Sequence, residues 1–238
     1  MKRHWSKEPT DTYFITNTIV EWKNIFLYEP YVKIILKSWK HFQTIRGIVF
    51  NAFAIMPSHL HYVMRATTAK YGIVEMQRDF KKYTAKRIID GLQYEIEHGE
   101  FDMCNVFKRE NIKRETASEL LELFKRIGKY SNQQHKIWMP DEKPIVINSD
   151  EFMAQKMNYI HMNPVKAHYA NEPQDYPYSS ARNYYLDDET LFKITRINLL
   201  AWKSYQDERL YQAKSSKPPP TKCKRPDVKT QSETVLDR

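Results

Sequence analysis

The chain has 238 residues, of which 41% are hydrophobic and 28% charged; that excludes global disorder and leaves room for one sizeable domain with an appendage. Its two cysteines, Cys104 and Cys223, are too few for a disulfide framework or a cysteine zinc cluster and fit a reducing cytoplasm. The basic N-terminus leads into no apolar h-region and no stretch reaches the ~18 apolar residues of a membrane span, so a protein neither secreted nor membrane-embedded is expected.

Thr12 to Val20 is rich in β-branched and aromatic residues and reads as a strand. Glu29 to Gln43 places Val32, Ile35, Leu36, Trp39 and Phe42 at helical spacing, with Gly47 as a stop. Gly47 to Ile55 reads as a second strand, Pro57-Ser58 as a turn and His59 to Arg65 as a third strand, the last two pairing as a hairpin. From Gly72 to about Ile96 runs a long helical pattern carrying Ile73, Met76, Phe80, Tyr83, Ile88 and Leu92. Residues 97–115 read as a loop or insertion and Ala117 to Ile127 as a short helix. His135 to Trp138 and Pro144 to Ile147 are short extended pieces. Ser149-Asp150 then caps a helix expected to end at Asn163-Pro164, where proline lacks an N–H. Residues 203–238 are polar, proline-rich and basic, and are expected to form a disordered tail behind a domain spanning 1–202.

A formal charge of +9 together with 16 tyrosines favours nucleic acid as the partner, because a positive field releases counterions and aromatic faces stack unpaired bases. Surplus lysine that only keeps the chain soluble is the competing reading. Arg78, Lys81, Lys82, Lys86 and Arg87 crowd the start of the long helix beside Tyr83, so they are either a phosphate-binding stripe or a solvated helix face. Lys136, Trp138 and Lys166 complete the candidate DNA contacts; Trp138 either stacks a base or fills the core, and Lys166 either meets a phosphate or complements the helix dipole.

His59-Leu60-His61 carries the sharper chemistry. A strand period of two sends both imidazoles to one face and Leu60 to the other, which aims two metal ligands together unless the histidines merely pack or face solvent. On the last helix Tyr159 and Asn163 are four apart, so a phenol able to act as nucleophile and a carboxamide oxygen able to ligate project together if helical geometry persists. A packing tyrosine and a capping asparagine are the alternative.

Met56-Pro57-Ser58-His59-Leu60-His61, then Asn158-Tyr159-Ile160-His161-Met162-Asn163-Pro164-Val165-Lys166-Ala167, then Asp175-Tyr176-Pro177-Tyr178-Ser179-Ser180 follow one another in the chain. Their order resembles the REP-associated tyrosine transposases of the HUH endonuclease superfamily, over roughly residues 10 to 186. The resemblance implies an α+β, ferredoxin-like antiparallel sheet with helices on one face, the histidines lying on a central strand. It further implies His59, His61 and Asn163 as ligands of Mg²⁺ or Mn²⁺ and Tyr159 as the nucleophile that cleaves and transfers single-stranded DNA, at hairpin or palindromic ends, through a 5′-phosphotyrosine. Free tyrosine titrates near pH ~10, so the phenol must lose its proton during attack. Related enzymes occur as homodimers and as monomers, and a nucleoid-associated, cytoplasmic location follows from the substrate. Met139 after Trp138 and a long 97–130 region depart from the family pattern. Two other readings compete: a non-catalytic single-stranded nucleic-acid-binding module, and a zinc hydrolase in which His135 or His161 joins the histidine pair.

Overall fold

A computed structural model describes residues 11–68, 72–102, 114–140 and 143–198; the expected tail and both cysteines lie outside them. The strands are β1 (Thr12–Thr18), β2 (Ile48–Ile55), β3 (His59–Ala66) and β4 (Ile145–Ile147), and the helices are α1 (Glu29–Arg46), α2 (Ile73–His98), α3 (Ala117–Tyr130), α4 (Asp150–Lys166) and α5 (Ala181–Tyr185). The sheet order is β2-β3-β1-β4 with every neighbour antiparallel, which is the ferredoxin-like arrangement with α3 added before the last strand. No helix among the described residues is long and apolar enough to cross a membrane.

One face of the sheet is covered by α1 and α2. Tyr31, Val32, Ile35, Trp39 and Phe42 of α1, with Met76, Phe80, Ile88 and Leu92 of α2, bury themselves against Tyr13, Ile15, Phe50, Phe53, Leu60, Tyr62 and Met64. Phe50 and Phe53 share that face although their spacing is odd, because a register shift between Phe50 and Ala52 inserts Asn51 as a bulge. Gly47 stops α1 in the left-handed region at φ 62°, and any Cβ there would stand 2.6 Å from Thr67 Oγ1.

The expectation of helices on a single face is corrected. Met153, Met157 and Ile160 of α4 pack on the opposite face against Phe14, Ala52, Ala54 and Val63. The run Ile48–Ile55 does not alternate with polar residues, as a sheet wet on one side would require, and its two alanines leave space for a helix. Both faces are therefore buried, with the histidine face turned toward α4.

The expected helix end is corrected as well, since α4 passes through Pro164 to Lys166. In the last turn the missing N–H removes a single intrahelical bond, and Ala167 N–H still donates to Asn163 O at 3.0 Å. His168 then turns left-handed at φ 59°, with its N–H on Val165 O and that of Tyr169 on Pro164 O, a Schellman closure built on histidine. Asn163 consequently keeps helical geometry.

Candidate active site

Pairing of β1 with β3 sets Thr16 opposite His61 and Thr18 opposite His59. The imidazoles lie on one face of β3 with centroids 4.8 Å apart, while Leu60 is fully buried on the other. Over them, Phe152, Lys156, Tyr159 and Asn163 form one stripe of α4 at three- and four-residue spacing. The Tyr159 hydroxyl stands 3.5 Å from Nε2 of His61, and the Asn163 side chain hydrogen-bonds His59. Phe14 stacks on His61 and meets Tyr159 edge-on, each at 5.8 Å, so apolar packing orients both rings.

Burial, opposed in part by the Asn163 bond, lowers the His59 pKa to about 4. Burial also lowers that of His61 to about 3, assisted by the nearby His59 and Lys156. Both rings are neutral at pH 7, the form that ligates metal. Thr16 Oγ1 lies 2.9 Å from Nδ1 of His61 and Ser58 Oγ 3.2 Å from Nδ1 of His59. Assigning the Nδ1 proton of His61 to Thr16 leaves the Nε2 lone pair of that ring for a cation. Thr18 Oγ1, opposite His59, is buried without a hydrogen-bond partner among the described residues. Two neutral imidazoles, a carboxamide and an orphaned hydroxyl are donors of the kind that suit a divalent cation, and such a donor set would favour Mn²⁺ over Mg²⁺. Tyr159 is 41% exposed.

A third histidine does not join the pair. No group of three or more His, Cys, Asp or Glu residues comes together among the described residues. His161 is fully buried with Nε2 2.8 Å from Ser180 Oγ, and His135 lines a groove beside α2. The zinc-hydrolase alternative thus loses its ligand set.

That groove, about 1160 Å³, runs between α2 and residues 133–140. Arg78, Lys81, Lys82, Lys86 and Lys136 line it, with the carboxylate of Asp90 among them, whereas Arg87 lies over the Tyr83 ring and reaches the groove only through its ion pair with Asp90. Lys81 donates to Met139 O and braces the wall. Of the two roles open to Trp138, its packing fits the core and not a base-stacking surface: it is only 6% exposed, packs on Phe26 and Phe80, and donates its Nε1–H to Thr84. Lys166 is exposed one turn beyond Asn163 on the same α4 stripe. Residues 175–180 do not enter the site; they cover the open edge of β2, with Ile55 N–H on Tyr178 O and Ser180 N–H on Phe53 O.

Sequence reasoning overlooked Lys156 and Thr16. Lys156 lies three residues before Tyr159 and its ammonium sits 4.7 Å from the Phe14 ring centre, so helical spacing alone could have found it. Thr16 had no such signal, because its place depends on strand register.

Among solved structures, that of a REP-associated tyrosine transposase bound to a REP hairpin is similar to this chain, with a TM-score of 0.49 and 15% sequence identity over 84% of this chain and 96% of that one. No family model matches the chain, and no curated protein matches it by sequence.

Proposed function

We propose that this protein cleaves and rejoins single-stranded DNA by transesterification at Tyr159, with Mg²⁺ or Mn²⁺ held by His59, His61 and Asn163. The observation that carries the reading is the convergence of a partly exposed phenol, at 3.5 Å, on the buried, neutral His61 of a neutral imidazole pair, 98 residues away in the chain. A cation bound there would supply charge stabilisation to a phosphate oxygen.

The phenol gives up its proton and its oxygen attacks phosphorus. The bond from phosphorus to the 3′ oxygen breaks, and that oxygen takes a proton to become a free 3′-hydroxyl. The other strand stays on the enzyme as a 5′-phosphotyrosine. A second 3′-hydroxyl can attack this ester and release the phenol, so one phosphodiester replaces another without ATP. Asn163 holds His59, Thr16 orients His61, and Lys156 adds positive potential beside a phosphate. The groove lined by Arg78, Lys82, Lys86 and Lys136 suits a polyanion and supports DNA as the substrate, presented as a single strand beside a hairpin.

Labelled hairpin oligonucleotides with single-stranded flanks, incubated with Mn²⁺ and run on denaturing gels, test the reading. A covalent adduct is expected with the native protein and none with Tyr159→Phe or His59→Ala. Absence of adduct over a wide panel of hairpins, with binding retained, would leave a non-catalytic nucleic-acid-binding module.

A further inference from the structure

Between β1 and α1 the backbone does something costly. Glu21 and Trp22 both adopt left-handed conformations, at φ 51° and 55°, which L side chains rarely take and a bulky aromatic almost never does. The turn is fixed in this shape. Trp22 N–H donates to Ile19 O at 3.0 Å, and on either side Ile19 N–H bonds Ser58 O and Phe26 N–H bonds Pro57 O at 2.9 Å, tying it to the turn that leads into His59.

The strained conformation does not serve to bury the indole. Val20, Ile25, Phe26 and Leu27 around it are buried, while Trp22 is 55% exposed. It stands instead edge-on to His59, with ring centroids 5.2 Å apart. Tyr159, His61, His59 and Trp22 are therefore linked by successive ring contacts, with centroids 5.0, 4.8 and 5.2 Å apart, the phenol first and the indole last.

We infer that Trp22 is a stacking platform for the nucleobase immediately 5′ of the scissile phosphate, the nucleotide whose 3′ oxygen departs. The inference rests on the reading of Tyr159 as nucleophile: in-line displacement sets the leaving oxygen on the side of phosphorus away from the phenol, and the ring contacts lead away from Tyr159 through His61 and His59 to Trp22. An indole face accepts any base, so this subsite fixes the position of the strand rather than its sequence.

The test walks 2-aminopurine along the single-stranded flank of a hairpin oligonucleotide bound, with Mn²⁺, to Tyr159→Phe protein, which binds without cutting; the cleavage position comes from the wild-type adduct. Quenching is expected at the nucleotide just 5′ of that position, lost in Tyr159→Phe/Trp22→Ala and kept in Tyr159→Phe/Trp22→Phe. With Tyr159 intact, Trp22→Ala should raise the DNA concentration for half-maximal adduct formation about tenfold, more than it lowers the saturating rate, and an abasic nucleotide at that position should erase the difference. Adduct formation with quenching that ignores Trp22, or that falls 3′ of the cut, overturns the stacking role alone. Absence of any adduct from wild-type protein overturns both the nucleophile and this subsite.

Discussion

Thr16 and His61, paired across β1 and β3, meet through the threonine hydroxyl, which lies 2.9 Å from Nδ1 of the imidazole. The contact sets the ring so that Nε2 faces the Tyr159 hydroxyl. Partners of this kind commonly tune metal affinity about 10- to 100-fold. Thr16→Val keeps the shape and removes the acceptor, so Mn²⁺ affinity should fall about tenfold while stability drops by only ~1 kcal/mol. Titration of free Mn²⁺ by electron paramagnetic resonance, with urea denaturation alongside, measures both. Unchanged affinity would mean that stacking on Phe14 alone orients the ring.

The same packing argues that the site exists before any cation arrives. Phe14 fixes His61 and Tyr159, and Asn163 fixes His59, through contacts that need no metal. Chelation with EDTA should therefore leave the fold cooperative and abolish only adduct formation. Mn²⁺ at a hundred times its dissociation constant should add about 2.7 kcal/mol to unfolding free energy. Asn163→Ala should need roughly tenfold more Mn²⁺ for the same gain, a loss typical of a missing metal-site partner. Denaturant melts over a Mn²⁺ series give the answer; an Asn163→Ala curve that overlays wild type would remove Asn163 from the site.

DNA affinity should respond to the groove charges in a way that distinguishes phosphate contacts from a merely solvated face. Each phosphate neutralised on a single strand contributes a slope of about −0.7 to log affinity against log salt. Arg78, Lys82 and Lys86 are exposed along the groove, whereas Lys81 braces Met139. Replacing those three exposed residues by alanine should make the slope less steep by about 2 and leave the melting midpoint nearly unchanged. Fluorescence anisotropy at several salt concentrations reads the slope, and an unchanged slope would put the DNA path elsewhere.

Much of this architecture was legible because it depends on local period. Alternation on His59 to Ala66 put the imidazoles together, and the four-residue interval did the same for Tyr159 and Asn163. Pro164 misled the reading of the helix end because the closure through His168 was not visible as a glycine. The second covered face was written in Ala52 and Ala54, residues that signal nothing by hydrophobicity alone. Trp138 fits either role by composition, and only its packing on Phe26 and Phe80 decides for the core. Trp22 gave no signal, since nothing in Glu21-Trp22 announces a left-handed turn that long-range hydrogen bonds impose. The path of residues 179–197 was equally hidden, because it is held by bonds to the β2 edge and not by any period of its own.

That edge cover provides the pH prediction. Asp188 accepts from the Thr190 hydroxyl at 2.6 Å and its N–H at 3.0 Å, and from Arg182 at 3.0 and 2.8 Å. The Thr190 hydroxyl, with the Thr190 N–H and the guanidinium, holds the carboxyl well below the usual carboxylate range against the opposing effect of burial. Beyond it, Thr195 N–H donates to Phe50 O at 2.9 Å and pairs the segment with β2. Because the folded pKa is depressed, the stabilisation is fully present above the unfolded value near ~4 and fades as pH falls through that value toward the folded one, where the opened segment binds the proton first. Hydrogen exchange at the Thr195 amide, corrected for its intrinsic rate, should show protection that is flat from pH 7 to about 5 and declines below about pH 4. Asp188→Asn should lower protection at pH 7 by about 1–3 kcal/mol and flatten the acid limb. Retention of that limb in Asp188→Asn would assign the acid sensitivity of this edge to another carboxylate.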